Sequence, residues 1–355
     1  MNKQTLIILT PAFPANESEE ETVWLPAKQS LISALNRTFP ELEIIILSFQ
    51  FPASRKPYTW HGNKVIPFSG ENKVKGHNWM VWMRVFNTLR QLKKEKNIVG
   101  LLSCWCAECA FVAHYFAKLY GVKHLCWICG QDARAGNKFV KRIRPDALEL
   151  VAMSDFLVAE FQRNHGIRPA HLVPDAIDTY LFDRVEKERN IDLLGAGGLH
   201  PLKQYDVFVS VVAAVRADLG NVNAYLCGDG TERPRIENEI KKADLEKELQ
   251  LTGYLPQKQV LRLMQRTKVF LHTSNYEGFG NVCIEALYAG AHVISFTKPM
   301  NQDIPHWHIV TTKEEMIAKA LDLLQDDTTD YTPVLPFDME DSAKQFMQLF
   351  GAGSH

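Results

Sequence analysis

The chain has 355 residues, 46% of them hydrophobic and 23% charged, with a formal net charge of −1. That length exceeds the usual single core and predicts two domains of roughly 150–200 residues. The composition excludes a largely disordered chain, and the charge total gives no sign of nucleic acid. The charge is unevenly divided: residues 1–182 hold 22 Lys+Arg against 16 Asp+Glu, and the remainder 18 against 25. Two readings stay open, ordinary variation in solvated faces or an N-terminal half that faces an anionic acceptor or the inner leaflet of a membrane.

In chain order, Thr5–Thr10 reads as an apolar strand. The opening MNKQTLIILTPAF lacks a small-residue cleavage site, so it fits a first strand better than a signal peptide. No apolar run reaches the ~18 residues of a spanning helix. A cytoplasmic protein is therefore expected. A helix near Val23–Arg37, a strand Glu43–Phe49 and a short strand Lys64–Phe68 follow. His77–Lys96 has Trp79, Trp82, Met83, Phe86 and Leu89 at three- and four-residue steps, the spacing of an amphipathic helix. That stripe is expected to face the core, while the basic tail Arg90, Lys93, Lys94 and Lys96 leaves a membrane-surface role open.

Ile98–Ser103 and His124–Cys129 read as strands around a helix Ala107–Tyr120, with Gly121 as its C-cap. Five of the seven cysteines fall here: Cys104, Cys106, Cys109, Cys126 and Cys129. The last two form a C-x-x-C, which raises zinc or redox chemistry. Residues three apart on one strand point to opposite faces, so reduced core cysteines and no metal are expected. The pattern continues with a strand at VAMSD, a helix Asp155–His165 capped by Ser154, and a short strand HLVP.

A second alternation begins at Ile191. Its strands are Asp192–Gly195, Val222–Cys227, Gln250–Leu251, Val269–Thr273 and His292–Phe296. Its helices are Tyr205–Asp218, Arg233–Ala243, Gln257–Arg266 and Asn281–Ala289. The expected fold is α/β, two Rossmann-like doubly wound parallel-sheet domains facing a cleft. The boundary falls near 175–190, in DRVEKERN. The domains are 1–180 and 181–335, with a C-terminal helix in 336–355 that packs back on the first.

The strongest chemical signal is FLHTSNYEGFGNVCIEALYAGAHVISF, residues 270–296. A strand opens into a loop with Gly278 and Gly280, and a helix starts near Asn281. The two glycines allow a sharp turn and close approach. The unpaired N–H groups and positive dipole end of the helix suit a diphosphate. Glu277 lies in the loop. Glu285 stands in the second turn among apolar neighbours, where a carboxylate needs hydroxyl or amide partners.

The spacing Glu277-x7-Glu285, with GFGNVCI between and EALYAG after, resembles the signature of family 4 (group 1) retaining glycosyltransferases of the GT-B fold. CGDG at 227–230, LTGYLP at 251–256, VPDAID at 173–178 and GLHPLKQYD at 198–206 stand in that family's order. The resemblance covers residues 150–330 well and the first 150 in architecture alone. It implies that Glu285 binds the ribose hydroxyls and that Glu277 orients the donor sugar. Lys203 would reach the diphosphate as a point charge. Phe279, Gly280 and Asn281 would give backbone N–H groups to phosphate. Gly253, Tyr254 and Leu255 would line the base pocket, and Gly228 would let the nucleotide approach closely.

Two positions depart from the family pattern. Gly198 stands where an Arg usually clamps the phosphates, with His200 nearby as a substitute. Cys129 replaces a His on the acceptor side, although Gly130 and Asp132 remain. The resemblance implies metal-independent, retaining transfer of a hexose-type sugar from a UDP- or GDP-sugar to a carbohydrate or lipid-linked acceptor, in envelope polysaccharide or glycolipid synthesis. No further cofactor is expected, and peripheral contact with an anionic membrane stays open. Rival readings are a non-catalytic nucleotide-sugar-binding protein and a nucleotide-sugar epimerase. A nicotinamide oxidoreductase fits poorly, because PAFPANE rather than G-x-G-x-x-G follows Leu6–Leu9.

Overall fold

The computed structural model describes residues 3–16, 26–71, 75–183 and 188–352, side chains of 75–77 excepted. The chain forms two compact units, one of residues up to Asp178 with those from Phe337 onward, the other Thr179–Pro336.

The first unit contains β1 (Gln4–Ala12), α1 (Pro26–Thr38), β2 (Glu43–Phe51), β3 (Tyr58–Trp60), β4 (Asn63–Pro67), α2 (Lys75–Glu95) and β5 (Asn97–Cys104). It continues with α3 (Glu108–Tyr120), β6 (His124–Ile128), α4 (Lys138–Ile143), β7 (Leu150–Ala152), α5 (Asp155–His165) and β8 (His171–Leu172). The strands lie in the order β3-β4-β2-β1-β5-β6-β7-β8. All the pairs are parallel except β3 with β4. Strands covered by helices on both faces must be apolar throughout. The runs Leu6–Leu9 and Ile44–Leu47 meet that demand and are buried. The hairpin strand β3 and the helix α4 lack a strong periodic signal and were not expected. Of the helix anticipated near Val23–Arg37, Val23–Leu25 lie outside the described residues.

The α2 stripe needs correction. The helix packs on the sheet through Val81, Val85, Leu89 and Leu92, with Trp82 and Phe86 at the margin. Trp79 is 62% exposed and Met83 44% exposed. The buried face is rotated toward the smaller valines, which allow closer approach to the strands.

The second unit contains β9 (Ile191–Ala196), α6 (Tyr205–Leu219), β10 (Ala224–Cys227), α7 (Arg233–Lys242), β11 (Leu249–Gly253) and α8 (Gln257–Met264). Then come β12 (Thr267–His272), α9 (Asn281–Tyr288), β13 (His292–Ser295), β14 (Trp307–Ile309) and α10 (Lys313–Gln325). The sheet order is β11-β10-β9-β12-β13-β14, parallel throughout. This is the doubly wound order in which the chain reverses direction beside the first strand. The reversal falls between β9 and β12, and ligands of such sheets bind at the strand carboxyl ends there. Phe208, Val212, Leu226, Leu271 and Met316 lie in its core.

Part of the charged stretch DRVEKERN has an interior job. Residues 184–187 lie outside the described residues. Arg189, however, donates to the carbonyls of Thr267 and Ala289 and stacks on Tyr331 at 5.0 Å. It ties the start of β12 to the end of α9.

The last helix, α11 (Met339–Phe350), belongs to the first unit. It packs on α1, its Phe346 ring meets Trp127 at 5.0 Å, and Phe350 fills the space beside Gly100. A Cβ on residue 100 would stand 2.2 Å from that ring.

Candidate active site

The exits of β9 and β12 carry Lys203 and Glu277. After β9, the chain turns through Gly197–His200 into a single 3-10 turn, Pro201–Lys203, before α6 begins. Proline is favoured at the first position of such a turn because its φ is already set. A Cβ at Gly197 would lie 3.7 Å from Lys203 Cε, so the lysine stem crosses the glycine. Two hydrogen bonds join this segment to the other loop. Thr273 Oγ1 donates to the Lys203 carbonyl at 2.6 Å, and Asn275 N–H donates to the Leu202 carbonyl at 3.4 Å.

Lys203 Nζ thereby meets Glu277 Oε2 at 2.6 Å, and buried His272 places Nε2 3.4 Å from the same oxygen. Burial of Glu277 works against ionisation, but His272 and Lys203 outweigh it and hold the carboxyl down to about 2. His272 itself is pushed down, chiefly by burial. At neutral pH the group is a lysine–carboxylate pair beside a neutral imidazole.

Gly280, at φ 90°, caps α9, a conformation that a side chain disfavours. The turn lets Phe279 bury its ring in the core while the helix amino end follows directly. In the second turn of α9, Glu285 Oε1 accepts from Gln257 Nε2 at 2.7 Å, at the start of α8. The sheet end is closely packed here. A Cβ at Gly228 would come within 1.9 Å of the Gly197 carbonyl oxygen, and Gly228 N–H donates to the Gly253 carbonyl at 2.9 Å. Gly278 is buried, Leu255 is half-buried and Tyr254 is exposed beside them. A Cβ at Gly198 would touch His200 Cδ2 and Nε2 at 3.0 Å, so the histidine ring lies over the residue that lacks a side chain.

In the first unit, the Asp132 carboxylate accepts from the N–H groups of Cys106 at 2.8 Å, Cys129 at 3.1 Å and Gly130 at 2.8 Å. It thus builds the loop after β6. Burial pushes its pKa up, against those donors. Cys129 is half-buried, and burial pushes its thiol well up despite the nearby Lys28. The other six cysteines are buried, and all seven are free thiols.

Sequence reasoning missed four participants. Gln257 donates to Glu285 from α8, and buried His272 at the end of β12 lies 3.4 Å from Glu277. Arg233 reaches over Gly253, where a Cβ would meet its Nη1 at 3.2 Å. Lys28 is buried with Nζ 3.3 Å from the Trp127 ring centre and 3.7 Å from Asp175. His272 lies inside the 270–296 segment but carries no pattern of its own, and the other three stand outside the quoted motifs; a lysine on an otherwise apolar helix face was the one further signal.

Residues 177–333 match the family model for glycosyl transferases group 1. The 2-deoxystreptamine N-acetyl-D-glucosaminyltransferase of Niallia circulans is 30% identical over 156 residues, 43% of this chain and 37% of that protein. The phosphatidylinositol N-acetylglucosaminyltransferase gpi3 subunit of Schizosaccharomyces pombe is 31% identical over 164 residues, 45% and 36% of the two chains. The matched segment thus spans little more than a third of these relatives. Among solved structures, TarM superposes with a TM-score of 0.73 at 10% identity, covering 98% of each chain. Anabaena HepE in complex with UDP and glucose gives 0.65 at 14% identity, covering 98% and 97%. The architecture is the GT-B fold, and residues 177–333 are similar to the glycosyl transferases group 1 family.

Proposed function

We propose that this protein is a retaining glycosyltransferase that moves a hexose-type sugar from a UDP-sugar to an acceptor hydroxyl. The observation that carries the reading is the Lys203–Glu277 contact of 2.6 Å at the sheet's reversal point, beside the amino end of α9. Support for uridine and for an N-acetylhexosamine comes from the relatives named N-acetylglucosaminyltransferases and from the neighbour bound to UDP.

In this reading the diphosphate docks at the α9 amino end, with Lys203 on its oxygens and His200 in place of the absent arginine. Glu285 takes the ribose hydroxyls, with Gln257 exchanged or retained as a neighbour. Phe279, Gly280 and Asn281 bond phosphate through their backbones, and Gly253, Tyr254 and Leu255 hold the base. As the bond from the anomeric carbon to phosphate loosens, negative charge grows on the diphosphate. Lys203 and the helix dipole stabilise that charge. The acceptor oxygen bonds to the anomeric carbon on the face that the phosphate leaves. The acceptor proton passes to the departing phosphate oxygen, so no side-chain base is required. Glu277 orients the sugar and stabilises the positive carbon. No divalent metal takes part at the donor site.

The acceptor is assigned to the first unit, around Cys129 and Gly130, and is a carbohydrate or lipid-linked sugar of envelope polysaccharide or glycolipid synthesis. No helix of the described residues is long and apolar enough to cross a membrane. Peripheral contact through exposed Trp79, Met80 and Met83 is part of the proposal. Sedimentation with anionic vesicles checks it: the wild type pellets, and a Trp79→Ser, Met83→Ser variant stays in solution.

The deciding experiment incubates the protein with UDP-sugars and candidate acceptors, with EDTA or with Mg²⁺ and Mn²⁺. Expected are acceptor-dependent UDP release, product of unchanged anomeric configuration, and rates insensitive to Mg²⁺ and Mn²⁺. UDP binding without release on any acceptor favours a non-catalytic binder. Donor conversion without acceptor favours an epimerase.

A further inference from the structure

Three metal-ligating side chains converge in the first unit, away from the strand ends described above. His114 lies on α3, His124 is the first residue of β6, and Glu149 ends the 3-10 turn Ala147–Glu149 before β7. One ligand atom from each lies within 4.8 Å of the other two. His114 Nδ1 is 3.0 Å from both Glu149 oxygens, and His124 Nδ1 is 3.8 Å from Glu149 Oε1.

The state of His124 is the informative part. Its residue is 5% exposed, and its Nδ1 has no hydrogen-bond partner. Its other nitrogen, Nε2, is 2.8 Å from Ser103 Oγ. A ligating histidine shows this same division, with one nitrogen oriented by a neighbour and the other facing the ion. Glu149 is also held in place, since its Oε2 accepts from the Asp146 N–H at 3.1 Å in a capping box. A buried nitrogen aimed at a carboxylate across 3.8 Å leaves room for a cation and too long a gap for a hydrogen bond.

We propose that His114, His124 and Glu149 bind a divalent metal ion, with zinc the best suited. Two imidazoles and a carboxylate are donors that zinc accepts, with water at the fourth position. Zinc bonds of about 2.0–2.1 Å set tetrahedral ligand atoms about 3.3 Å apart. The separations of 3.0 and 3.8 Å bracket that value. The site is structural rather than catalytic. His124 and Glu149 stand at the amino ends of β6 and β7, whereas ligands of doubly wound sheets are handled at the carboxyl ends. The ion links α3, β6 and the turn into β7, three elements joined here by no chain connection shorter than a loop. The ligand spacing, ten residues and then twenty-five, matches no local motif, so the sequence shows nothing of it.

The test strips the intact protein with a chelator, exchanges it into buffer and titrates ZnCl2 by calorimetry, followed by X-ray absorption at the zinc edge. Expected are about one equivalent of zinc, a shell of nitrogen and oxygen only, and a rise in Tm on loading. Glu149→Gln and His124→Ala are each expected to weaken binding by at least about tenfold. Circular dichroism confirms that the variant is folded. The absorption spectrum needs no variant and stays decisive if one fails to fold. Zinc binding far below one equivalent, sulfur in the zinc shell, or unchanged affinity in a folded Glu149→Gln protein overturns the proposal. Sulfur in the shell would assign the ion to the cysteines.

Discussion

Lys203 Nζ and Glu277 Oε2 stand 2.6 Å apart although 74 residues separate them in the chain. The parallel neighbours β9 and β12 bring them together, and the Thr273-to-Lys203 hydrogen bond fixes the loops. Lys203→Ala and Glu277→Ala are each expected to lower transfer at least ~100-fold, as removal of preorganised charge stabilisation does. Because the two contact each other, the double variant should fall well short of the product of the single losses. UDP release under saturating donor measures all three. Near-native rates in both folded single variants would remove this pair from the mechanism.

Glu285 is expected to act on binding more than on chemistry. Glu285→Ala should raise the donor KM by about tenfold, the loss of roughly one charged hydrogen bond, with kcat changed less. It should also shrink the thermal shift that UDP produces. Gln257→Ala, which removes the hydrogen bond that Gln257 donates to this carboxylate, should leave the UDP shift equal or larger. An unchanged KM in Glu285→Ala would separate this residue from the nucleotide.

Gly228 has no room for a side chain, since a Cβ would overlap the Gly197 carbonyl oxygen at 1.9 Å. The clash is with backbone, so the β9 loop itself must move. Gly228→Ala should destabilise by about 2–3 kcal/mol, read as a lower midpoint in urea. It should also weaken UDP binding, because the displaced loop carries Lys203. Gly62→Ala is a contrasting case: φ is 79° there but nothing lies within 4 Å of the added carbon. It should cost less and leave UDP binding intact.

The histidines of the second unit set an acid limit on stability. His292 Nε2–H donates to the Asp330 carbonyl at 2.7 Å, so its Nδ1 accepts from His308 Nε2 at 3.0 Å. His306 stacks on His292 with ring centres 4.4 Å apart. Burial, then Lys319 and the two other imidazoles, push His308 down to about 4. The unfolded chain therefore binds the proton more readily than the folded one between about pH 6.5 and 4. The stability contributed by neutral His308 is present above pH 6.5 and is lost as pH falls through 4. Tm should drop by on the order of 5 °C over that window. His308→Gln should flatten the decline, as followed by thermal melts across pH.

The sequence by itself determined the doubly wound class and most element positions. Strands buried on both faces must be apolar runs such as Leu6–Leu9, and glycine caps such as Gly121 and Gly280 mark helix ends through backbone sterics. It also made the Glu277, Glu285 and Lys203 motifs legible, because each lies in a short segment with its own local pattern. Tertiary structure decided what local pattern cannot reach. Which face of α2 is buried depends on how closely the sheet approaches, so Val81 and Val85 are inside while Trp79 is out. The Gln257–Glu285 bond and the His114–His124–Glu149 cluster depend on which strands become neighbours. Burial of Lys28 beside Trp127 and Asp175 has the same origin. Strand order joins residues by packing across the sheet, and that relation leaves no periodic trace along the chain.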